Sequence, residues 1–336
     1  MKYMFNSTKM FFLFFLFFST LISISSNSWL GCWMGLEINL LSFIPLISKS
    51  NNLLNSEASL KYFLTQSIAS INFLFSILLM FMFNNFLTNY LFMMLINSSL
   101  LMKMGSTPFH FWFPNVMEGL SWFNCFILMI FSWQKISPII LLSYFMNMMF
   151  IMFMMILNSI IGSLGSFNQL SLRKLLAFSS INNIGRMLVA LMLKLNTWMI
   201  YLIIYSFLNF ILMFMFKIMN MFTLNQIYSN KNSNFMKYFI MFNLLSLSGL
   251  PPFLGFLPKW LIINLMIDNN LIMTSFILIM MSLVNMYFYI RITYTYFMFN
   301  FFEIKFYSTQ FDHLTLISIF TFISLLGLML IPMLIH

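Results

Sequence analysis

Four ionisable residues lie in stretches of sequence that are otherwise apolar: Glu37, Lys103, Lys135 and Lys259. Burial weakens the affinity of a lysine for its proton, whereas a neighbouring carboxylate strengthens it. A lysine held between these two influences can accept and release a proton near neutral pH. A glutamate and several lysines on neighbouring elements would form a series of such groups. We therefore predict a proton relay through these four residues.

Each of the four residues also has a plainer interpretation. Glu37, in WLGCWMGLEINLLSFIPLI, could stay protonated or simply link two helices. Lys103 lies about 15 residues into its apolar segment, roughly 22 Å along a helix, which is too deep for its stem to reach water. Lys135 is nearer a predicted helix end, and the depth of Lys259 is ambiguous because its helix is broken. A charge at the centre of a bilayer costs roughly 2.5–3.5 kcal/mol on insertion scales, which favours a functional role.

The segments around Lys103 and Lys259 both contain residues that interrupt a helix. The breakers are Gly105 and Pro108 in LMKMGSTPFHFWFP, and Gly249, Pro251 and Pro252 in SLSGLPPFLGFLPKW. Within a membrane, non-helical backbone is tolerated only where protein or a water-filled cavity covers its polar groups. His110, in the first of these segments, could relay protons or could cap the broken helix. Both breaks therefore indicate an ion path inside the protein.

The elements that must position these residues are membrane-spanning helices. Of the 336 residues, 62% are hydrophobic and only 7% are charged, whereas a soluble domain carries about 25% charged residues. At about 20 apolar residues per span, the length allows roughly eleven helices in one membrane-embedded domain, residues 1–336. The apolar N-terminal stretch is interpreted as the first span rather than as a cleaved signal. The predicted spans are 9–27, 30–48, 59–83, 88–118 (broken), 121–140, 142–164, 171–193, 197–221, 238–265 (broken), 271–297 and 313–335.

The arrangement of the spans suggests two repeats of opposite orientation. The two broken spans are the fourth and the ninth, and interrupted segments at matching positions are typical of inverted-repeat transporters. The N-terminal tail and the connections after even-numbered spans carry most of the lysines and arginines, namely Lys2, Lys9, Lys49, Lys61, Arg173, Lys174, Lys231, Lys237 and Lys305. By the positive-inside rule, the N-terminus lies on the matrix or cytoplasmic side and the C-terminus on the opposite side.

Several classes of cofactor and partner are not supported by the sequence. Cys32 and Cys125 stand alone, and the three histidines form no cluster with them. We therefore predict no metal, haem or iron–sulfur cluster on this chain, and no nucleotide motif is present. The net charge of +10 is carried mostly at span ends, which argues against nucleic acid as a partner. We also predict no soluble small-molecule substrate for this chain.

Three motifs resemble those of the antiporter-like membrane subunits of respiratory complex I. LMKMGSTPFHFWFPNVMEGL resembles the family signature K-x-G-x-x-P-F-H-x-W-x-P, and SLSGLPPFLGFLPKW resembles its second helix break. RKLLAFSSINNIG resembles the family element KRLLAYSSIxHxG, with two departures. Asn183 stands where the family has a histidine, so this position cannot exchange a proton as an imidazole. Arg186 stands where an aromatic residue is common, and the sequence assigns it no partner.

The resemblance implies a fold, a set of partners and a polar axis. It implies fourteen spans in the bacterial form and eleven in an animal member that has lost the first three. It implies an acid–lysine pair at Glu37 and Lys103, a central lysine at Lys135 and a terminal lysine at Lys259. The implied partners are the other membrane-arm subunits and the lipids of the mitochondrial inner membrane. FMN, the iron–sulfur clusters and ubiquinone are expected in other subunits of that complex.

The function that these observations favour is proton translocation coupled to quinone reduction elsewhere in the complex. This would make the chain a subunit of a proton-translocating NADH:ubiquinone reductase, with no redox chemistry of its own. Two alternatives stay open at this point. The repeats also fit a free-standing cation/proton antiporter, and the buried charges could merely link helices in a passive scaffold.

Overall fold

The chain is an all-α protein whose long helices are apolar on the outside. The computed structural model describes residues 7–48, 52–83, 86–131, 133–145, 147–229, 234–299 and 314–335. Large apolar side chains are exposed along the long helices; Phe14, for example, is 63% exposed and Phe75 is 58% exposed. Polar side chains such as Asn158 and Asn209 are fully buried. A soluble protein has the reverse distribution, so lipid is the medium that this surface fits.

The helices group into two compact units, Met1–Asn158 and Ser159–His336. The prediction of a single functional domain stays a prediction. The boundary between the units falls within helix α8 (Met148–Gly165). The other helices of the first unit are α1 (Ser7–Ser25), α2 (Trp29–Ile47), α3 (Leu53–Met82), α4 (Phe86–Met104), α5 (Trp112–Gly119), α6 (Trp122–Phe126) and α7 (Trp133–Leu142).

The second unit is built around α9, whose sequence is the least hydrophobic of its long spans. The helices of this unit are α9 (Leu172–Leu193), α10 (Leu195–Ile218), α11 (Leu224–Ser229), α12 (Asn234–Ser248), α13 (Phe256–Asp268), α14 (Ile272–Phe299) and α15 (Leu314–Ile335). Of an 18-residue apolar stretch of α9, 89% is buried inside the protein, whereas 28% of the corresponding stretch of α14 is buried. The polar residues on α9 therefore lie inside the protein.

Seven of the described helices are long and apolar enough to cross a membrane unaided: α1, α2, α3, α8, α9, α10 and α14. The prediction of two broken helices is confirmed, because α4–α5 and α12–α13 are each separated by a non-helical segment. None of the four helices of the two broken spans is among the seven. The total of eleven spans stays a prediction.

The fifth predicted span is less regular than its sequence suggests. A π-helical turn, Ile127–Phe131, follows α6, and α7 begins at Trp133. The sequence pattern predicts one continuous helix over 121–140. The period of apolar residues cannot distinguish an α-helix from one that contains a single wider turn, which is the reason for the difference.

Buried hydroxyl groups are satisfied largely within their own helices. Ser19, Ser76 and Ser180 each donate to the carbonyl three residues earlier, at 2.7 to 2.9 Å. Such bonds let serine and threonine face the interior of a membrane protein without a partner on another helix. Among the described residues, side-chain hydrogen bonds between different elements are present at both helix breaks.

Candidate functional site

The first helix break is formed by a left-handed glycine and a cis proline. Gly105 has φ of +69°, and the Thr107–Pro108 peptide bond is cis. A Cβ atom at Gly105 would lie 3.0 Å from the Cβ atom of Phe113. Glycine is therefore required here both for its backbone conformation and for close packing.

Three carbonyls near the end of α4 accept hydrogen bonds from side chains. They accept as follows: Leu101 O from Ser106 Oγ (2.9 Å), Met102 O from Trp112 Nε1 (3.2 Å) and Lys103 O from Gln66 Nε2 (3.0 Å). Beyond the break, Asn158 Oδ1 accepts from the backbone N–H of Thr107 at 2.7 Å and from its hydroxyl at 3.0 Å. Protein groups therefore cover the interrupted backbone, as the membrane environment requires.

Lys103 lies at the last turn of α4, immediately before the break. Its side chain is only 5% exposed. Glu37, half-buried on α2, is close enough for its charge to act on the Lys103 ammonium, but the two groups form no direct ion pair. Among the described residues, the Lys103 ammonium donates no hydrogen bond. The ammonium is thus held near an acid without being fixed to it.

His110 contributes to the structure of the first break. Its Nδ1 lies 3.3 Å from the Pro108 carbonyl oxygen, and its own carbonyl accepts from the Phe113 N–H at 3.0 Å at the start of α5. The ring packs against Phe111, with centroids 4.2 Å apart. These contacts are all local to the break, and both predicted roles of His110, relay and cap, stay predictions.

Lys135 is on α7, which begins two residues earlier and directly follows the π-helical turn. Its side chain lies outside the part of the chain that the structure describes. π-Helical turns within α-helices are frequent at functional sites. The backbone therefore places the residue beside an irregular segment.

The second break repeats the backbone device of the first. Gly249 has φ of +80°, and the Pro251–Pro252 peptide bond is cis. The Gly249 N–H donates to Ser246 O at 3.1 Å, and the Leu254 N–H donates to Ser324 O on α15 at 3.2 Å. A glycine in the left-handed region and a cis proline thus mark both interruptions.

Lys259 differs from Lys103 because its ammonium donates hydrogen bonds to backbone carbonyls at the break. The Lys259 Nζ donates to the carbonyl of Leu247, at 3.4 Å, and to that of Ser248. Both carbonyls are at the end of α12 and have lost their helical partners. The side chain is 9% exposed and packs against Gly249. A Cβ atom at position 249 would clash with it. Lys259 is therefore buried and is also part of the cap.

Arg186 is a second buried cation near Lys259, and the sequence assigns it no partner. It is 3% exposed, and its Nη1 donates to Asn183 Oδ1 at 3.1 Å. The hydroxyl of Tyr201, on α10, donates to the same oxygen at 2.9 Å. Arg186 is close enough to Lys259 for the two cationic groups to repel each other. The i, i+3 spacing of Asn183 and Arg186 on a buried helix is a signal that could have suggested the first contact.

Lys237 is a further buried cation that the sequence pattern places wrongly. The pattern assigns it to a connection, whereas α12 begins at Asn234 and the Lys237 side chain is 1% exposed. Its ammonium lies 5.7 Å from the centroid of the Tyr296 ring, within the range of a cation–π contact. The sequence pattern treats the polar residues Asn234 and Lys237 as part of a connection, whereas the helix already includes both of them.

Of the four predicted relay residues, the structure brings Glu37 and Lys103 close enough for their charges to interact. Lys259 lies near Arg186, which was not among the four. In the described parts of the chain, no group of three or more His, Cys, Asp or Glu side chains could hold a metal ion. The role of the four residues as a relay stays a prediction.

The chain is similar to proteins of known sequence and structure over nearly all of its length. Residues 26–285 match the family described as NADH:quinone oxidoreductase/Mrp antiporter, TM. It is 51% identical over 332 residues to NADH-ubiquinone oxidoreductase chain 2 of Anopheles gambiae, with 96% of each chain covered. It is 49% identical over 329 residues to the protein of the same name in Aedes aegypti, with 94% of each covered.

A solved structure shows the same fold. A chain of respiratory complex I from Thermus thermophilus superposes with a TM-score of 0.83 at 21% identity. The match covers 98% of the present chain and 79% of the other. The predicted fold class, an antiporter-like bundle of transmembrane helices, is therefore confirmed.

Proposed function

The chain belongs to the NADH-ubiquinone oxidoreductase chain 2 family, and we propose that it moves protons across the mitochondrial inner membrane as a subunit of that oxidoreductase. Its motifs resemble those of mitochondrial NADH dehydrogenase subunit 2, and identities of 51% and 49% to two insect proteins of this family support that assignment. Its partners are the other membrane-arm subunits of complex I. FMN, the iron–sulfur clusters and ubiquinone belong to other subunits, and quinone reduction there drives the proton movement here.

The observation that carries this proposal is the position of Lys103. Its ammonium is buried beside a helix break, near the Glu37 carboxylate and without a hydrogen bond to a described residue. A direct ion pair would hold the ammonium in one position beside the Glu37 carboxylate. A buried lysine that only senses a nearby acid can change its protonation when the distance to that acid changes. Movement of Glu37 relative to Lys103 is therefore the step that would load or release a proton.

Lys259 provides the corresponding group in the second unit, with Lys135 proposed as the intermediate between them. The Arg186 guanidinium lies near Lys259 and repels its ammonium. In the proposed relay, Lys259 passes the proton onward. Asn183, at the position of the family histidine, holds Arg186 and Tyr201 in place and has no proton to exchange.

The proposed orientation puts the N-terminus on the matrix side and the C-terminus on the intermembrane-space side. The distribution of lysine and arginine over the connections supports this orientation. The free-standing antiporter alternative is less well supported, because the relatives that match nearly the full chain are named as chains of an oxidoreductase.

The test is to replace Lys103 with alanine at the equivalent position of a homologous complex that can be purified and placed in vesicles. We expect assembly and quinone reduction to be retained, and the number of protons moved per electron to fall. Lys61→Ala is the matched control, because Lys61 is an exposed lysine of the same unit, paired with Glu57.

Three results would contradict the proposal in different ways. An unchanged number of protons per electron in the assembled Lys103→Ala complex would remove this lysine from the path. Cation-driven proton transport by the isolated wild-type chain in vesicles, without an electron donor, would favour the free-standing antiporter. If Lys103→Ala reduced only assembly, the scaffold alternative would hold.

A further inference from the structure

The second unit contains a cavity that the proton relay does not use. It has a volume of about 480 Å³ and lies between the α8–α9 connection, α11 and the C-terminal half of α14. Its polar lining consists of Asn168, Gln169, Asn225, Tyr228, Arg291 and Thr295. Phe288 and Ile292, on the same helix, form an apolar wall. Phe288 lies one turn before Arg291, and Ile292 lies one turn before Thr295. The cavity therefore joins a cationic, hydrogen-bonding end to an apolar side.

Backbone and side-chain bonds build the walls of this cavity. Ser171 and Thr223 form an antiparallel bridge between two connections. On either side of it, the Leu172 N–H donates to Phe222 O and the Leu224 N–H donates to Leu170 O, both at 3.0 Å. The cavity is thus shaped by bonded backbone and not by side chains alone.

A hydroxyl contact fixes the opposite wall. The Thr295 hydroxyl donates to the Tyr228 hydroxyl at 2.9 Å and so joins α14 to α11. The ring of Phe167 packs edge-on against that of Phe288, with centroids 6.4 Å apart. Arg291 and Thr295 are therefore held on the same side of the cavity, one helical turn apart.

The charge around the cavity favours an anion. Arg173, Lys174, Lys217 and Arg291 are all near this end of the second unit, at the start of α9, the end of α10 and the last turns of α14. The Arg173 guanidinium lies over the Phe222 ring, 4.4 Å from its centroid, next to the bridge. The one acid among the described residues of this unit, Asp268, is at the far end of the interrupted helix α12–α13. No carboxylate is among the described residues that line the cavity.

The surroundings of the cavity are those of a membrane–water interface. Tyr287 and Tyr294, on the same part of α14, are 58% and 61% exposed. Tyrosine is enriched at the depth of lipid headgroups, where its ring is in lipid and its hydroxyl in water. Basic pockets between helices at this depth are suited to anionic lipid headgroups.

We propose that this cavity binds the phosphate of an anionic phospholipid, with Arg291 as the principal ligand. The guanidinium can donate two parallel hydrogen bonds to phosphate oxygens. The amides of Asn168 and Asn225 provide further donors, and the acyl chains leave over Phe288 and the exposed apolar face of α14. This site requires only that the chain is in a membrane, so its failure would leave the proton relay untouched.

The experiment is photolabelling of a homologous purified complex in lipid nanodiscs, with a photoreactive phosphatidylglycerol as the probe. We expect a labelled peptide from α11 or the C-terminal half of α14. Arg291→Gln should reduce this labelling by about tenfold, because glutamine loses the charge that strengthens the hydrogen bonds to phosphate. Arg291→Lys should retain part of it. Lys194→Gln is the matched control, since Lys194 is an exposed lysine in the α9–α10 connection.

Three outcomes would overturn the proposal. Equal labelling by a photoreactive phosphatidylcholine would show that negative charge on the lipid is not recognised. Loss of labelling in millimolar inorganic phosphate would identify a site for free phosphate instead. Unchanged labelling in Arg291→Gln would remove the assigned ligand, and a neighbouring subunit filling the cavity in a map of the complex would have the same effect.

Discussion

The two interrupted helices share a backbone design but use their lysines differently. Each has a glycine at positive φ, a cis proline and a buried lysine. At the first break, Gln66 and Trp112 satisfy the freed carbonyls, and Lys103 donates to none of them. At the second break, Lys259 itself donates to two carbonyls. A lysine beside a helix break can therefore be either a free charge or a structural donor.

The charges near the two lysines differ in sign. Glu37 acts on Lys103, whereas Arg186 acts on Lys259. A carboxylate stabilises an ammonium and a guanidinium repels it. The two buried lysines therefore lie near fixed charges of opposite sign.

The largest expected effect is a difference in the stability of the complex between variants of the two lysines. Lys259→Met should reduce the amount of assembled complex, because Leu247 and Ser248 lose their donor and each uncovered buried carbonyl costs about 1–3 kcal/mol. Lys103→Met should assemble normally. The measurement is the abundance and thermal inactivation midpoint of a homologous complex carrying each change. Equal losses in both variants would mean that Lys103 also caps its helix.

A smaller difference in stability is expected between alanine variants of the two glycines. Left-handed backbone costs a non-glycine residue about 1–2 kcal/mol, so both Gly105→Ala and Gly249→Ala should destabilise the complex. Gly249→Ala should cost more, because its new Cβ atom would lie 2.8 Å from the Cδ and Cε atoms of Lys259 and would displace that capping side chain. Thermal inactivation of the two variants checks the order. A milder effect for Gly249→Ala would show that Lys259 can move without loss of its cap.

The third comparison concerns the polar side chains that support each break. Asn158→Ala removes the acceptor of two buried Thr107 donors and should cost about 1–3 kcal/mol. Asn243→Ala removes one acceptor, of the Ser324 hydroxyl, which also donates within its own helix, and should cost less. Inactivation midpoints of the paired variants give the comparison. The idea of unequal support would be wrong if Asn243→Ala were the more damaging change.

Composition and local backbone chemistry determined much of this protein without any knowledge of its contacts. The scarcity of charge predicts a membrane protein, since too few polar residues are present to cover a soluble domain. Gly105 and Gly249, with the prolines that follow them, predict both helix breaks because their effect on the backbone is local. The burial of Lys103 follows in the same way from its distance to the nearest span end.

Only the tertiary structure decided what each buried group contacts. The Gln66 amide is 37 residues from the carbonyl that it covers, and Asn158 is 51 residues from Thr107. No periodicity connects residues so far apart, since such contacts depend on which helix faces meet. The proximity of Arg186 to Lys259 and the burial of Lys237 were undetermined for the same reason. The sequence specifies which groups must be paired in a low-dielectric interior, and the packing of helices selects their partners.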